Sequence, residues 1–482
     1  MKQRILSVVI FSLIVSSAFS QSNLIINNDK FESNIKLLES WIKAQLDYRD
    51  IPGMSIGIVY DQELIYAQGF GFCDLKNKKP ATPQTLYRIA SITKTFTATA
   101  ILQLRDEGKI RLDDPIKMYL PWFKIKNRFT GAPKITIRHL ITHTSGLPRE
   151  AAFPYWTDHK FPTRKEIIEA LPNQETIYAP ETKFKYSNLA LALTGEIVTA
   201  VSAMPYDMYI KKNILEPLQM NSTSVYLTEA DMSELATPYS RRLPDGTREI
   251  MPFIDSKGIT PAANMSSNVE DLARYISLQF GDGKRDGAQI LKRSTLREMH
   301  RVHWLRPNWS SGWGLGFAVW RQNDKTVVGH GGWVAGNRTQ IVFIPKEKIG
   351  VIVLTNADDG EPGFFAGKIL TLFTPIIKEL VTPKAPASKP DPAWNKFVGL
   401  YTDPSWFDSE VMIFNNKLVM NGYSFPPEEN PAGEIVELTP EGENRFRKTG
   451  KNGNGEIVVF ELDDKGKVVR VKVGENFIYP KK

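Results

Sequence analysis

Cysteine is almost missing from this 482-residue chain: Cys73 is the only one, so no intramolecular disulfide can form. It follows Phe70-Gly71-Phe72, which predicts a buried structural thiol. Long apolar runs are missing too. Beyond the first twenty residues no stretch is long enough to span a bilayer, so the mature chain is expected to be soluble. Histidine is scarce, at six residues, and no H-E-x-x-H pattern occurs. His139 and His143 stand four apart but lack an evident third ligand, so they are expected to satisfy local backbone groups rather than bind a metal. A strong basic field is absent as well. The formal charge of +8 is spread along the chain, and its densest knot, Lys76, Lys78 and Lys79 beside Asn77 and Pro80, reads as a solvated turn rather than a nucleic-acid surface.

The amino terminus differs from the rest. Lys2 and Arg4 precede an apolar run over residues 5–15, and Ala18-Phe19-Ser20 places small residues before Gln21. This predicts a signal peptide over residues 1–20, cut near Ser20/Gln21, and a secreted or periplasmic product. A short uncleaved anchor is the alternative, for which the run is brief. No cysteine lies near the cut, which argues against a lipid anchor.

The length predicts two or three domains. Residues 381–393 carry Pro383, Pro386, Pro390 and Pro392 without periodicity and read as an exposed linker. Before it, over residues 31–380, two strands (54–60 and 63–67) precede a mainly helical middle. Ser267-Asn268-Val269-Glu270 there resembles a capping box, and three strand-like runs follow (313–320, 339–344 and 350–355). That order suggests an α/β (α+β) fold, one sheet made from both ends of the region with the helical part inserted. After the linker, residues 394–482 alternate in strand-like runs (398–401, 411–414, 418–420, 435–438, 457–462 and 468–473) with turn signals such as Asn452-Gly453-Asn454-Gly455, which predicts a small antiparallel barrel or sandwich.

Three short patterns carry chemistry. Ser91-Ile92-Thr93-Lys94 opens a predicted buried helix that stops near Gly108, and spacing i, i+3 lets the amine meet the hydroxyl. A helix start also offers unpaired N–H groups to an oxyanion. Alone, S-x-x-K is weak. Ser33 to Lys36 and Ser40 to Lys43 match it on the solvated side of an amphipathic helix, and a serine at a helix start is often only a cap. Tyr186-Ser187-Asn188 places a phenol and an amide at the start of an apolar helix. Beside Lys94 the phenol is expected to give up its proton more readily and to serve as base; a buried tyrosine bonded to backbone is the alternative. His330-Gly331-Gly332-Trp333 puts His330 and Gly332 on one face of an extended segment. A substrate can approach that edge, with the Trp333 N–H as a second oxyanion donor beside that of Ser91.

In that order and at those separations the three patterns resemble the motifs of the serine β-lactamase and penicillin-binding protein superfamily. The closest likeness is to its class C-like branch of esterases, D-aminopeptidases and carboxypeptidases. The segment from His139 through Thr142-His143-Thr144-Ser145-Gly146-Leu147-Pro148 and Trp313-Gly314-Leu315-Gly316 also look like that branch. The resemblance implies an antiparallel sheet flanked by helices with a helical subdomain. It implies Ser91 as nucleophile, Lys94 and Tyr186 as the proton-handling pair, Asn188 as a substrate-orienting amide, and no metal or cofactor. Its substrates would be a small ester, a β-lactam or a peptide, with peptidoglycan among the candidates. Class C β-lactamases usually carry Lys-Thr-Gly where this chain has His330-Gly331-Gly332, so the cation for a lactam carboxylate is missing. Esters and D-amino acid peptides are therefore favoured over lactams. A binding or sensor protein that keeps the pocket with little turnover is the other reading. The tail resembles barrel-like domains appended to some of these peptidases.

Overall fold

The computed structural model describes residues 21–281, 289–322, 324–382, 390–403, 405, 407–423 and 435–481. The predicted signal peptide and the 383–389 part of the predicted linker lie outside them. The chain divides into two compact units between Thr382 and Pro383.

The first unit contains β1 (Gly53–Tyr60), β2 (Glu63–Asp74), β3 (Lys79–Pro80), β4 (Tyr87–Arg88), β5 (Ser266–Ser267), β6 (Trp304–Leu305), β7 (Ser311–Trp313), β8 (Ala318–Gln322), β9 (Lys325–Val334), β10 (Asn337–Ile344) and β11 (Ile349–Thr355). Nine of them form one antiparallel sheet in the order β3-β2-β1-β11-β10-β9-β8-β7-β6. The two ends of the region meet where β1 pairs with β11, from Met54 opposite Thr355 to Tyr60 opposite Ile349. This is the single sheet the strand–helix–strand order predicts.

Every residue of β1 is buried because both faces are covered. Met54, Ile56 and Ile58 pack with Phe31, Leu38 and Ile42 of the helix Asp29–Arg49 and with Phe365, Ile369 and Phe373 of the helix Pro362–Val381. On the other face Gly57 leaves room for Val269, which opens the helix Val269–Gln279. The cap of that helix differs from expectation. Asn268 caps it by accepting from the Asp271 N–H at 2.9 Å, while the Ser267 hydroxyl bonds Thr223 at 2.7 Å. Two strands were also drawn differently by the periodicity. Residues 313–320 form the ends of β7 and β8 around a turn, and β9 is a full ten-residue strand that its glycines conceal. Cys73 is buried and donates to the Pro80 carbonyl at 3.4 Å, and the Lys76, Lys78 and Lys79 knot is an exposed turn with Lys79 paired to Glu234.

The second unit is a closed barrel of eight strands: β12 (Gly399–Asp403), β13 (Phe407–Phe414), β14 (Lys417–Tyr423), β15 (Ile435–Pro440), β16 (Arg445–Thr449), β17 (Ile457–Leu462), β18 (Val468–Val473) and β19 (Asn476–Pro480). β12 closes on β19 through Tyr401 opposite Pro480. Phe397, Tyr401, Phe446 and Phe460 fill the interior, so the barrel is a packed core. β16 and β19 are additions to the six strands read from sequence.

Candidate active site

The chain reaches Ser91 under tight control. β4 pairs with β5, and the Ile89 N–H donates to the Met265 carbonyl at 3.0 Å. Ala90 then takes φ 46°, a left-handed conformation that costs a side-chain-bearing residue about 1 kcal/mol or more. The turn Ala90–Ile92 leads into the helix Thr93–Asp106, whose cap position is Ile92 without any side-chain cap. The Ser91 hydroxyl is therefore not spent on the helix end, which sets aside the capping reading. Lys94 Nζ lies 2.9 Å from Ser91 Oγ and donates to the Ala262 carbonyl at 2.7 Å. Lys94 is 1% exposed, and burial holds its pKa well below the ordinary lysine value.

Tyr186 enters from the loop before the helix Asn188–Ser202. Ser187 caps that helix by accepting from the Ala190 N–H at 2.9 Å, and it ties the loop to the Pro148 carbonyl at 2.6 Å. Lys94 Nζ sits 4.9 Å from the Tyr186 ring centre, and the Ser91 side chain works against burial in setting the phenol's pKa. Sequence reasoning expects a phenol eased toward phenolate by Lys94. The structure reverses this: burial raises the Tyr186 pKa and lowers that of Lys94, because desolvation disfavours each charged form.

His143 supports the tyrosine from below. Its ring lies 4.3 Å from that of Tyr186, its Nδ1 accepts the Ser187 N–H at 3.2 Å, and its own backbone is left-handed at φ 58°. Trp313 backs both rings, 4.9 Å from His143 and 6.0 Å from Tyr186. His139 closes a capping box with Thr136 and meets Glu181 at 3.0 Å. His139 therefore satisfies a local backbone group, as expected, whereas His143 bonds a backbone N–H 44 residues away in sequence.

The third pattern lies on β9. β8 pairs with it only as far as Gly329, so from His330 to Val334 its outer edge has no neighbouring strand among the described residues. Gly332 faces the serine turn so closely that a Cβ there would overlap the Ile89 carbonyl oxygen and Thr339 Oγ1. His330 is 5% exposed, and burial pushes its pKa down to about 3, with Lys94 contributing. The Trp333 indole is 39% exposed and donates to Asp358 at 2.8 Å; its ring stacks on Trp156 at 5.5 Å.

Ser91, Tyr186, Asn188, His330, Gly332 and Trp333 line one cleft of about 1380 Å³, with Lys94 directly beneath Ser91. The look-alike pairs Ser33/Lys36 and Ser40/Lys43 are exposed on the helix Asp29–Arg49. Sequence reasoning missed Arg149 and Glu150. Glu150 accepts from Asn188 Nδ2 at 2.8 and 3.0 Å, and Arg149 stands 5.1 Å from the Tyr186 ring centre. Their one signal is position, directly after Leu147-Pro148. The arrangement supplies a hydroxyl, a buried amine, a phenol and an open strand edge around one point, which is equipment for acyl transfer.

The profile of the Beta-lactamase family matches residues 38–373. The chain belongs to that family. Members of this β-lactamase-like serine hydrolase superfamily with similar sequences include Beta-lactamase-like protein 2 of Dictyostelium discoideum, 28% identical over 416 residues, 81% of this chain and 74% of that protein. Protein flp of Staphylococcus aureus (strain MW2) is 30% identical over 328 residues; the match spans 66% of this chain and 62% of that protein's length. Among solved structures, the octameric penicillin-binding protein homologue from Pyrococcus abyssi superimposes with a TM-score of 0.62 at 29% identity, covering 93% of this chain and all of that one. A class C β-lactamase, a D-stereospecific amidohydrolase, a carboxypeptidase and a hydrolase with acyltransferase activity share the β-lactamase fold with it at 19–24% identity.

Proposed function

We propose that the chain is an exported serine hydrolase that forms an acyl-enzyme on Ser91 and acts on esters or D-amino acid, peptidoglycan-like peptides. The observation that carries this reading is the 2.9 Å contact between Ser91 Oγ and the buried Lys94 amine, whose pKa burial holds below the ordinary lysine value. With Lys94 neutral, its lone pair accepts the Ser91 proton as Oγ attacks the carbonyl carbon. The resulting oxyanion is received by the N–H of Ser91 at the helix start and the N–H of Trp333 on the open edge of β9. As the intermediate collapses, the Tyr186 phenol gives its proton to the leaving group and is refilled from Lys94. Water then repeats the sequence on the ester, releasing the acid and restoring Ser91.

The substrate range follows from β9. His330 is held neutral where a lactam carboxylate would need a cation, which supports an esterase or peptidase over an efficient β-lactamase. Export rests on the pattern of residues 1–20, and amino-terminal sequencing of the mature protein is expected to begin at Gln21. The decisive experiment is intact-mass spectrometry after exposure to a fluorophosphonate and, separately, to a penicillin, with Ser91→Ala as control. A Ser91-dependent phosphonate adduct supports the reading, and a stable penicillin adduct narrows it to a penicillin-binding peptidase. No adduct with either reagent refutes it in favour of a binding or sensor role.

A further inference from the structure

A third short segment extends the β4–β5 pair. Arg88 stands opposite Ser266 in that pair, and Ser266 stands opposite Ser224 in an isolated antiparallel bridge. Directly opposed residues send their side chains to one face, with Cβ atoms about 4.5–5.5 Å apart, so Arg88, Ser266 and Ser224 form a row. On the other face the equivalent row is closed, since the Ser267 hydroxyl meets that of Thr223 at 2.7 Å. The first row is not closed. Arg88 Nε, Ser266 Oγ and Ser224 Oγ are all buried and unpartnered. Ser256, wholly buried, adds a fourth such atom in its Oγ. Its N–H donates to Asn264 Oδ1 at 2.8 Å, the same oxygen that accepts Arg88 Nη2 at 2.9 Å.

The surrounding groups do not supply what Arg88 lacks. Both lone pairs of Asn264 Oδ1 are taken by those two donors, which leaves none for Nε. The Phe253 ring lies 4.8 Å from the guanidinium, but a ring covers the face of the fork, whereas Nε–H points along its plane. Asp255 is the carboxylate that acts on Arg88; it is exposed, and its Oδ1 accepts the Lys257 N–H at 3.0 Å. Arg88 is 3% exposed, and although burial pushes its pKa down to about 10 it is still a cation at neutral pH.

A buried cation with an unmet donor, beside hydroxyls that can each turn a proton inward, calls for an acceptor that carries negative charge. The guanidinium repels a metal ion, and a water molecule would satisfy the hydrogen bonds while leaving the charge unanswered. All four polar atoms are shut off from solvent, which suits a monatomic anion better than a phosphate. We infer that Arg88, Ser224, Ser256 and Ser266 form a halide site beside the β4–β5 pair, occupied by chloride in the working protein. None of the four lines the Ser91 cleft, so the site stands whether or not the hydrolase reading does. A halide there ties β4 to residues 262–266, which also hold Ile89 through the Met265 carbonyl and Lys94 through the Ala262 carbonyl.

The test is thermal melting of the mature protein in sodium gluconate, chloride or bromide at one ionic strength, with bromide located by anomalous scattering in crystals. The halides are expected to raise the transition of the first unit over gluconate by about 2–4 °C, saturably. Ser266→Ala separates a ligand site from an idle hydroxyl. Without a ligand the substitution removes an unpaired buried group and leaves the protein as stable or more stable in every salt. With one, the variant matches the parent in gluconate, falls below it in chloride and loses about half of the halide gain or more. Arg88→Met is expected to lose the gain altogether, and Ser266→Ala carries the test should that variant fail to fold. A bromide peak within hydrogen-bond reach of Arg88 Nε supports the inference. No halide gain, a gain equal in the parent and either variant, or water alone at that position overturns it.

Discussion

The Ser91 helix and the carboxy-terminal barrel bury their side chains by opposite rules. In Thr93–Asp106 every residue from 93 to 104 is buried, and six of these are polar: Thr93, Lys94, Thr95, Thr97, Thr99 and Gln103. Among the described barrel residues only Ser409 is a buried polar side chain. A polar group taken out of water costs free energy unless it is bonded, so the helix is stable only because its surroundings answer it. Thr97 donates to the Pro261 carbonyl at 2.6 Å, Thr99 to Thr95 at 2.9 Å, and Lys94 to Ala262 at 2.7 Å. The barrel needs no such answers, since alternation sends Phe446, Val458 and Phe460 inward and leaves charge outside. One unit is organised around a site and the other around a core.

If that contrast is right, the largest effects divide cleanly. Ser91→Ala is expected to lower ester hydrolysis by about 10³-fold or more while leaving the melting curve in place, because it removes the attacking oxygen and no packing. A variant retaining full activity would remove Ser91 from the chemistry. Phe460→Ala should do the reverse. Its ring lies 4.4 Å from that of Phe397 and 5.7 Å from that of Phe446, so truncation is expected to cost the barrel about 3–5 kcal/mol. In calorimetry a lowered barrel transition beside an unshifted one for the first unit would uphold the division into two units; a common shift would break it.

The same contrast explains what could be read from the sequence. Most of the barrel is legible because one-face burial writes a period of two into the residues, and β1, covered on both faces, is legible as a short apolar run bounded by turn signals. β16 and β19 are not, since Arg445–Thr449 sends only Phe446 into the core and Asn476–Pro480 only Ile478. β9 hides behind Gly329, Gly331 and Gly332, which have low strand propensity but are needed for close approach. In the site, Ser91, Lys94, Tyr186, Asn188, His330 and Gly332 are legible because their spacing within each motif is local. Glu150 is not, because what it does depends on an amide 38 residues away. The direction of the Tyr186 shift was misjudged for a related reason: charge proximity can be read from spacing, whereas desolvation depends on the whole fold.

A smaller effect probes how closely the two walls of the site approach. Gly332→Ala would force a Cβ into the Ile89 carbonyl and Thr339 Oγ1, where backbone must move, and is expected to cost about 1–3 kcal/mol. Activity should fall with it, since Ile89 leads into Ser91. At Gly331 the nearest atom to a Cβ is the end of the Gln340 side chain at 2.9 Å, which can swing away. Gly331→Ala should therefore be the milder of the two by thermal denaturation, and the opposite ranking would contradict the close approach at Gly332.

The smallest expected effect has an unusual sign. Lys94 is buried with its pKa held below the unfolded value, so between those two pH values the unfolded chain binds more protons than the folded one. Stability from this group is therefore lowest on the acid side of that window and is recovered as pH rises toward the ordinary lysine range. Replacing Lys94 by methionine removes the desolvation cost and keeps most of the stem's packing. Lys94→Met is accordingly expected to be inactive yet more stable than the parent at neutral pH by about 1 kcal/mol, with the gain shrinking as pH approaches 10.5. Activity of the parent should rise with pH along a limb set by Lys94 deprotonation. Denaturant melts of the pair at several pH values check both statements. A variant that is less stable throughout would mean that the bonds to Ser91 and Ala262 outweigh desolvation, and that the buried amine is held in place as a cation rather than poised to give up its proton.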